Sequence, residues 1–237
     1  MLDPQQIGFV DYTLVSPELT KLAHAFAIIQ EEYEQARTRI QWAPLHWDMG
    51  YSGSQQTDSE MGWNTAVLLG DAFTEADRTG WAQKGQHTEL RNGTTFFENT
   101  TLLPTLTRCL LEAQLTTRAA LTRLDPNTTL PWHQDWDPCP PGHAVIRVLW
   151  GLDVPQEAGK DCFMEIQVAG ASPQRRIFAN NDPLMFWSQC RHRVVNNLSA
   201  PRVVIGIDII KPVEEIFSRL SQGVVTANGI FAKATAS

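Results

Sequence analysis

The N-terminal part of the chain carries apolar residues at helical spacing. Ser16 and Pro17 offer a capping serine followed by a proline at the first helical position, which predicts a helix start. Residues 41–64, rich in Trp, Gly, Ser and Asp, are expected to form loops or irregular strands. A second helix is predicted to begin near Pro104. The apolar positions that place the first helix, expected to run to about residue 38, are Leu19, Leu22, Ala23, Phe26 and Ile29.

From residue 116 the pattern changes to short β-rich runs separated by Pro, Gly, Asn and Asp. Examples are HAVIRVLWGLDVP, CFMEIQVAG, LMFWSQCRHRVVNN and PRVVIGIDIIKP. Regular short strands with turn signals between them indicate a sandwich or barrel. The prediction is a mainly β fold with flanking helices, whose core at residues 116–212 is a double-stranded β-helix (jelly-roll, cupin-like). Residues 1–115 are expected to form a helical and loop region packed on this core, and residues 213–237 a C-terminal helix and tail.

Composition narrows the class of protein. Of 237 residues, 43% are hydrophobic and 19% charged, which is ordinary for a globular domain. The net charge of −7 argues against a general nucleic-acid binder, which would carry a basic face. No signal-peptide pattern and no apolar run of membrane-spanning length is evident, so a cytoplasmic protein without a membrane partner is expected. The four cysteines are scattered and are expected to be reduced.

The chemistry-bearing feature is His133-Gln134-Asp135, with His192 much later in the chain. Two histidines and one carboxylate are the ligand set of non-haem Fe(II) oxygenases. In a β-strand, residues i and i+2 point to the same face, so His133 and Asp135 can reach one ion while Gln134 points away. Asp135 would also be costly to bury without a cation or a hydrogen-bond network. These three residues are the candidate metal ligands and the candidate catalytic centre.

Arg202, ten residues after His192, opens the apolar strand VVIGIDII. An arginine facing an interior of Val and Ile needs an anionic partner, and a guanidinium holds a carboxylate through two parallel hydrogen bonds. The far carboxylate of 2-oxoglutarate is a candidate. The alternative is a rim arginine paired with a surface acid.

The segments LTRLDPNTTLPWHQD, AVIRVLWGLDVP and PLMFWSQCRHRVVNNLSAPRVVIGIDIIKP together resemble the aspartyl/asparaginyl β-hydroxylase-like family. The resemblance covers roughly residues 118–212. It implies a jelly-roll core that uses Fe(II) and 2-oxoglutarate to hydroxylate an unactivated C–H bond, releasing succinate and CO2. The motif positions that match are Thr122, His133, Arg147, His192, Asn196 and Arg202.

The resemblance assigns roles to these positions and leaves one of them open. Arg202 and Thr122 are expected to hold 2-oxoglutarate. Arg147 is counted with them, although binding of a substrate carboxylate is its alternative. Some family members have glycine where Asp135 stands, so this aspartate resembles the cis-proline-hydroxylase branch. It also disfavours halogenation, because a halide usually needs the coordination position that a carboxylate would occupy. Leu149 stands where the family often has histidine.

The expected function is hydroxylation of an amino acid, an amino-acid derivative or a peptide side chain, with O2 as co-substrate. The alternatives are another cupin-type metal enzyme (an isomerase or a cofactor-independent dioxygenase) and a non-catalytic jelly-roll binding protein. Residues 46–51 are interpreted as a substrate lid or a linker. Trp132, Trp136 and Trp150 are expected to be packing residues, with pocket lining as the alternative. Substrate identity and oligomeric state do not follow from the sequence.

Overall fold

A computed structural model describes residues 7–44, 62–69, 99–113, 118–135, 139–156 and 159–222. Its helices are α1 (Tyr12–Val15), α2 (Thr20–Ala36), α3 (Pro104–Glu112) and α4 (Val213–Gln222), with a 3-10 turn at Pro17–Leu19. No helix among these residues is long and apolar enough to cross a membrane. The predicted first helix is present as α2. Its opening turn is a 3-10 turn, and its α-helical part begins four residues after Ser16.

The N-terminal helical part is held together by one apolar face and one cap. The face of α2 that is buried carries Leu22, Phe26, Ile29, Tyr33 and Ala36, at the spacing of a helix stripe. Both carboxylate oxygens of Glu32 accept the backbone N–H of Thr105, at 3.1 and 3.0 Å. A carboxylate at this place satisfies an orphan donor in the first turn of α3 and complements the helix dipole.

The capping role predicted for Ser16 is wrong in detail. Ser16 precedes the 3-10 turn, but its side chain makes no capping hydrogen bond and its Oγ is buried without a partner. Pro17 does occupy the first position of the turn, as predicted. Its fixed φ and missing N–H suit the start of a helical turn, so the proline alone is enough to place it.

The core is a pair of antiparallel sheets that forms a jelly roll, as predicted. The larger sheet has the order β1-β2-β3-β10-β5-β8 and the smaller one β4-β9-β6-β7. The strands are β1 (Ala43–Pro44), β2 (Trp63–Leu69), β3 (Ala119–Leu124), β4 (Thr128–His133), β5 (His143–Asp153), β6 (Cys162–Ile166), β7 (Gln174–Ile177), β8 (Pro183–Trp187), β9 (His192–Asn196) and β10 (Arg202–Pro212).

Strand β2 was not predicted from the sequence, because the expectation of loops or irregular strands ended at residue 64 and β2 spans Trp63–Leu69. It pairs with β3 in antiparallel register, from Trp63 opposite Leu124 onwards. The large sheet therefore includes two strands, β1 and β2, from the part of the chain that precedes residue 116. Ala66 and Leu68 of this strand are buried, which gives a structural reason for its apolar residues.

Strand β10 lies in the middle of the large sheet, between β3 and β5. Its Val and Ile residues at 203–205, 207 and 209 are all buried, so the strand reads as a nearly continuous apolar run. Because side chains alternate between faces, Arg202, Gly206 and Asp208 share one face of β10. That face lines the pocket described next.

Candidate active site

Three side chains meet where the small sheet closes over the large one. His133 ends β4, Asp135 follows it by two residues, and His192 begins β9 directly opposite His133 in the antiparallel register. One donor atom from each lies within 4.8 Å of the others. The rings of His133 and His192 have centroids 4.2 Å apart. The i, i+2 argument from sequence and the cross-strand register therefore bring together all three predicted ligands.

Hydrogen bonds fix the tautomers of both histidines. The Nδ1 atoms of His133 and His192 lie 2.7 Å from the carbonyl oxygens of Pro131 and Cys190. A carbonyl oxygen can only accept, so Nδ1 is the donor in each ring and Nε2 is the nitrogen left to bind a metal. Such a bond from the distal ring nitrogen is the usual way in which metal-ligating histidines are oriented.

The two lone pairs point at a buried carboxylate. Nε2 of His133 lies 3.8 Å from Oδ1 of Asp135, and Nε2 of His192 lies 3.6 Å from Oδ2. Burial lowers the pKa of His192 to about 3, and the neighbouring His133 and Arg147 act in the same direction. His192 is therefore neutral at physiological pH. Two imidazole nitrogens and a carboxylate converge on one point, an arrangement that suits a divalent cation.

Asp135 is held from its other side by an arginine. Nη1 of Arg147 donates to Oδ2 of Asp135. The same guanidinium makes a fork with Asp208, from Nε to Oδ1 at 2.6 Å and from Nη2 to Oδ2 at 2.9 Å. Arg147 stands on β5 directly opposite Asp208 on β10. The structure thus places Arg147 between two carboxylates at the edge of the pocket.

Arg202 is the second unusual group. Its side chain is 2% exposed, and its Nε and Nη1 have no hydrogen-bond partner among the described residues. The guanidinium carbon lies 4.3 Å from the centroid of the Phe178 ring. Burial lowers the pKa of Arg202 to about 10, so it stays charged at neutral pH. Since an unpaired buried cation is costly, the site is complementary to a carboxylate. The rim alternative, with a surface acid as partner, does not apply.

One pocket joins Arg202 to the triad. Its lining includes His133, His192, Arg147, Arg202 and Thr122, so it contains every predicted site residue except Asp135, which Arg147 and the histidines contact. The apolar part of the wall is formed by Ala120, Leu130, Leu149, Phe186 and Val194. Phe186 packs edge-on against the His192 ring, with centroids 4.9 Å apart. Leu149 contributes an apolar surface to the pocket at the position where the family named in the sequence analysis often has a histidine.

Besides the apolar wall, sequence reasoning missed the pocket residues Trp63, Arg118, Gly206 and Asp208. Asp208 had a signal, because an acid inside the run VVIGIDII is unusual for a buried strand. Its even-numbered spacing from Arg202 also placed both on one face. Arg118 and Trp63 carried no such signal, since their position depends on the pairing of β2 with β3.

Of the other candidates, Trp132 and Trp150 fall outside the pocket lining. Trp150 is fully buried, and its Nε1 donates to Oδ1 of Asn181 at 3.1 Å, in agreement with a packing role. Trp132 lies against the guanidinium of Arg193, with 5.2 Å between the guanidinium carbon and the ring centroid. Residues 46–51 and Trp136 lie outside the described residues, so the lid interpretation stays a prediction. No disulfide links the four cysteines, all of which lie in the described part of the chain.

Asn196, which matches the family motif after the late histidine, has a structural role. It is fully buried, and its Nδ2 lies 3.0 Å from the carbonyl oxygens of Leu124, Asp125 and Ala200. These contacts tie the turn between β9 and β10 to the turn between β3 and β4. The start of β10, and with it Arg202, is thereby fixed relative to β4.

A family profile described as aspartyl/asparaginyl beta-hydroxylase matches residues 23–212. The chain belongs to this family. The match begins inside α2, so it extends well beyond the segment 118–212 in which the sequence motifs were noticed. The protein is accordingly an enzyme, a 2-oxoglutarate-dependent Fe(II) oxygenase, and its cofactors are Fe(II) and 2-oxoglutarate.

Solved structures similar to this family member include a Pseudomonas putida prolyl-4-hydroxylase, at 12% identity and a TM-score of 0.45 over 87% of this chain and 91% of that one. A 2OG-Fe(II) oxygenase-family oxidoreductase from Burkholderia pseudomallei has 11% identity and a TM-score of 0.45, with 84% and 90% covered. A cupin 2 barrel protein from Salinispora arenicola has 13% identity and a TM-score of 0.27, with 45% and 71% covered. No curated protein matches the chain significantly.

Proposed function

We propose that this enzyme hydroxylates an unactivated C–H bond of a small amino acid, an amino-acid derivative or a peptide side chain, as a member of the cis-proline-hydroxylase-like branch. The observation that carries the proposal is the convergence of His133, Asp135 and His192 beside a pocket that both histidines line together with the buried guanidinium of Arg202. Retention of Asp135, rather than glycine, supports both hydroxylation and this branch.

In the proposed assignment, His133, Asp135 and His192 hold Fe(II) through two imidazole nitrogens and one carboxylate oxygen. Arg202 binds the far carboxylate of 2-oxoglutarate, and Thr122 on β3 lines the same pocket. When bound, Fe(II) and 2-oxoglutarate would supply the oxidising chemistry, by which O2, the keto acid and the substrate C–H bond would give succinate, CO2 and the hydroxylated substrate. The protein's own task is to hold these groups, exclude water with the apolar wall and fix one target carbon.

An amino-acid carboxylate is supported as the recognised substrate group by Arg118. This residue precedes β3, is partly exposed, and lines the pocket on the same strand face as Ala120 and Thr122. A cation at this position is complementary to a carboxylate. The side chain of Trp63, also in the lining, lies near His133, with ring centroids 6.2 Å apart. It would cover an aliphatic substrate beside the proposed iron.

The test is a succinate-release screen against free amino acids, N-acylated amino acids and short peptides, with the added oxygen located by mass. The expected result is stimulation by at least one small amino-acid substrate and loss of all turnover in His192→Ala. Proline is the decisive member of the panel, and its products are compared with cis- and trans-hydroxyproline standards. Stimulation by other amino acids and none by proline would remove the branch assignment and keep the hydroxylase.

A further inference from the structure

Behind the proposed iron ligands, three charged side chains form a continuous chain of ion pairs: Asp208, Arg147 and Asp135. Arg147 donates to Asp208 through Nε and Nη2, at 2.6 and 2.9 Å, and to Asp135 through Nη1. The two donors that face Asp208 form the planar fork that matches a carboxylate in shape. The guanidinium is therefore fixed in its plane by one acid before it reaches the other.

These three charged side chains are well shielded from solvent. The side chains of Asp208, Arg147 and Asp135 are 14%, 12% and 2% exposed. At such burial an ion pair is weakly screened, and the loss of one partner leaves an uncompensated charge. An exposed pair such as Arg176 with Asp182, at 45% and 40% exposed, lacks this property.

The geometry of these ion pairs indicates a role for them at the metal site. Oδ2 of Asp135 accepts from Arg147, which limits how this carboxylate can rotate between the two histidines. Asp208 also offsets the positive charge of Arg147. Without Asp208, less of the positive charge of Arg147 would be offset, and the excess charge beside Asp135 would oppose a divalent metal bound there.

We infer that Asp208 is a positioning residue that acts through Arg147 to orient Asp135 and to neutralise the arginine, thereby strengthening metal binding. The inference rests on the proposed role of Asp135 as a ligand. It gives Arg147 a third role, distinct from the two that the sequence left open, which were contact with 2-oxoglutarate and contact with a substrate carboxylate.

The test measures Mn(II) affinity without turnover, from the electron paramagnetic resonance signal of free Mn(II), in the wild type and in Asp208→Asn, Arg147→Gln and the double variant. Partners of metal ligands contribute about 10–100-fold to affinity, so Asp208→Asn is expected to weaken Mn(II) binding by this factor. In the Arg147→Gln background, Asp208→Asn should weaken Mn(II) binding by less than about a further threefold, because Asp208 acts through Arg147. Asp182→Asn removes an acid from an exposed pair and should leave affinity unchanged.

Two further measurements separate the possible outcomes. At saturating metal, the KM for 2-oxoglutarate should change less than about threefold in Asp208→Asn, in contrast to the effect of removing a co-substrate contact. If Asp208→Asn fails to fold, Asp208→Glu keeps the charge, moves the carboxylate by one methylene, and should also weaken Mn(II) binding.

Wild-type Mn(II) affinity in Asp208→Asn would overturn the inference, as would an equal loss in the Arg147→Gln background. Failure of the proposed site itself has a different signature, namely that His192→Ala binds Mn(II) as tightly as the wild type.

Discussion

Arg202→Met should raise the stability of the metal-free protein and lower the affinity of the enzyme for 2-oxoglutarate. In the free protein the buried guanidinium has two nitrogens without partners. Lowering of its pKa from 12.5 to about 10 corresponds to about 3 kcal/mol of unfavourable burial. Loss of the cation–π contact with Phe178 offsets about 1–2 kcal/mol of this gain in stability. The net gain of about 1 kcal/mol should raise the Tm of the metal-free protein by about 2–4 °C.

Binding should change in the opposite direction. Two charge-assisted hydrogen bonds from Arg202 to the far carboxylate of 2-oxoglutarate contribute about 3–4 kcal/mol together. Their loss weakens 2-oxoglutarate binding by about 10²–10³-fold. Arg202→Lys keeps the charge without the fork and should lie between the two. Scanning calorimetry of the metal-free protein and titration of 2-oxoglutarate into the Mn(II)-loaded protein measure both effects.

The control for this pair of measurements is Arg176→Met, which removes an arginine that is 45% exposed and lies in a surface ion pair. It should change neither Tm nor 2-oxoglutarate affinity appreciably. The reasoning is refuted if Arg202→Met keeps wild-type affinity for 2-oxoglutarate, or if its Tm falls as it does after an ordinary core truncation.

Three further predictions concern the pocket floor, pH and the turn beside Arg202. A Cβ at Gly206 would meet its nearest protein atoms at 3.6–3.9 Å, so Gly206→Val should fold, occupy pocket space and raise the KM for 2-oxoglutarate, whereas a wild-type KM would show that the co-substrate lies elsewhere. Since His192 has a pKa of about 3 in the folded protein against 6.5 when unfolded, the unfolded state binds more protons between these values. The free energy of unfolding of the metal-free protein should therefore fall as pH drops through this window, by up to about 1 kcal/mol per pH unit, and urea titrations of His192→Gln should lack this part of the slope. Asn196→Ala should lower stability by about 2–4 kcal/mol, because it leaves buried carbonyl groups without a donor; an unchanged urea midpoint would contradict this role.

How well the sequence predicts each site residue depends on whether neighbouring residues or distant strands determine its position. His133 and Asp135 are predictable because the i, i+2 spacing of one strand face also brings them together here, although β4 itself ends at His133. Arg202 is predictable because a cation opening an apolar strand needs a partner. The jelly-roll class follows from the regular short strands after residue 116.

The rest depends on pairing between distant strands. Arg147 meets Asp208 only through the register of β5 against β10, across 61 residues of sequence. Its role therefore stayed open between two ligands. Strand β2 was missed because its residues lie at the end of a Gly- and Ser-rich segment. Its strand character comes from its pairing with β3, which the local pattern does not encode.

The most direct test of the central claim is anaerobic addition of Fe(II) and then 2-oxoglutarate to the metal-free protein, followed by visible absorption. The account predicts a weak charge-transfer band of an iron–keto-acid chelate that needs both additions, is absent in His192→Ala, and requires far more 2-oxoglutarate in Arg202→Met. Absence of the band in the wild type, or an undiminished band in His192→Ala, would contradict the proposed iron and 2-oxoglutarate site.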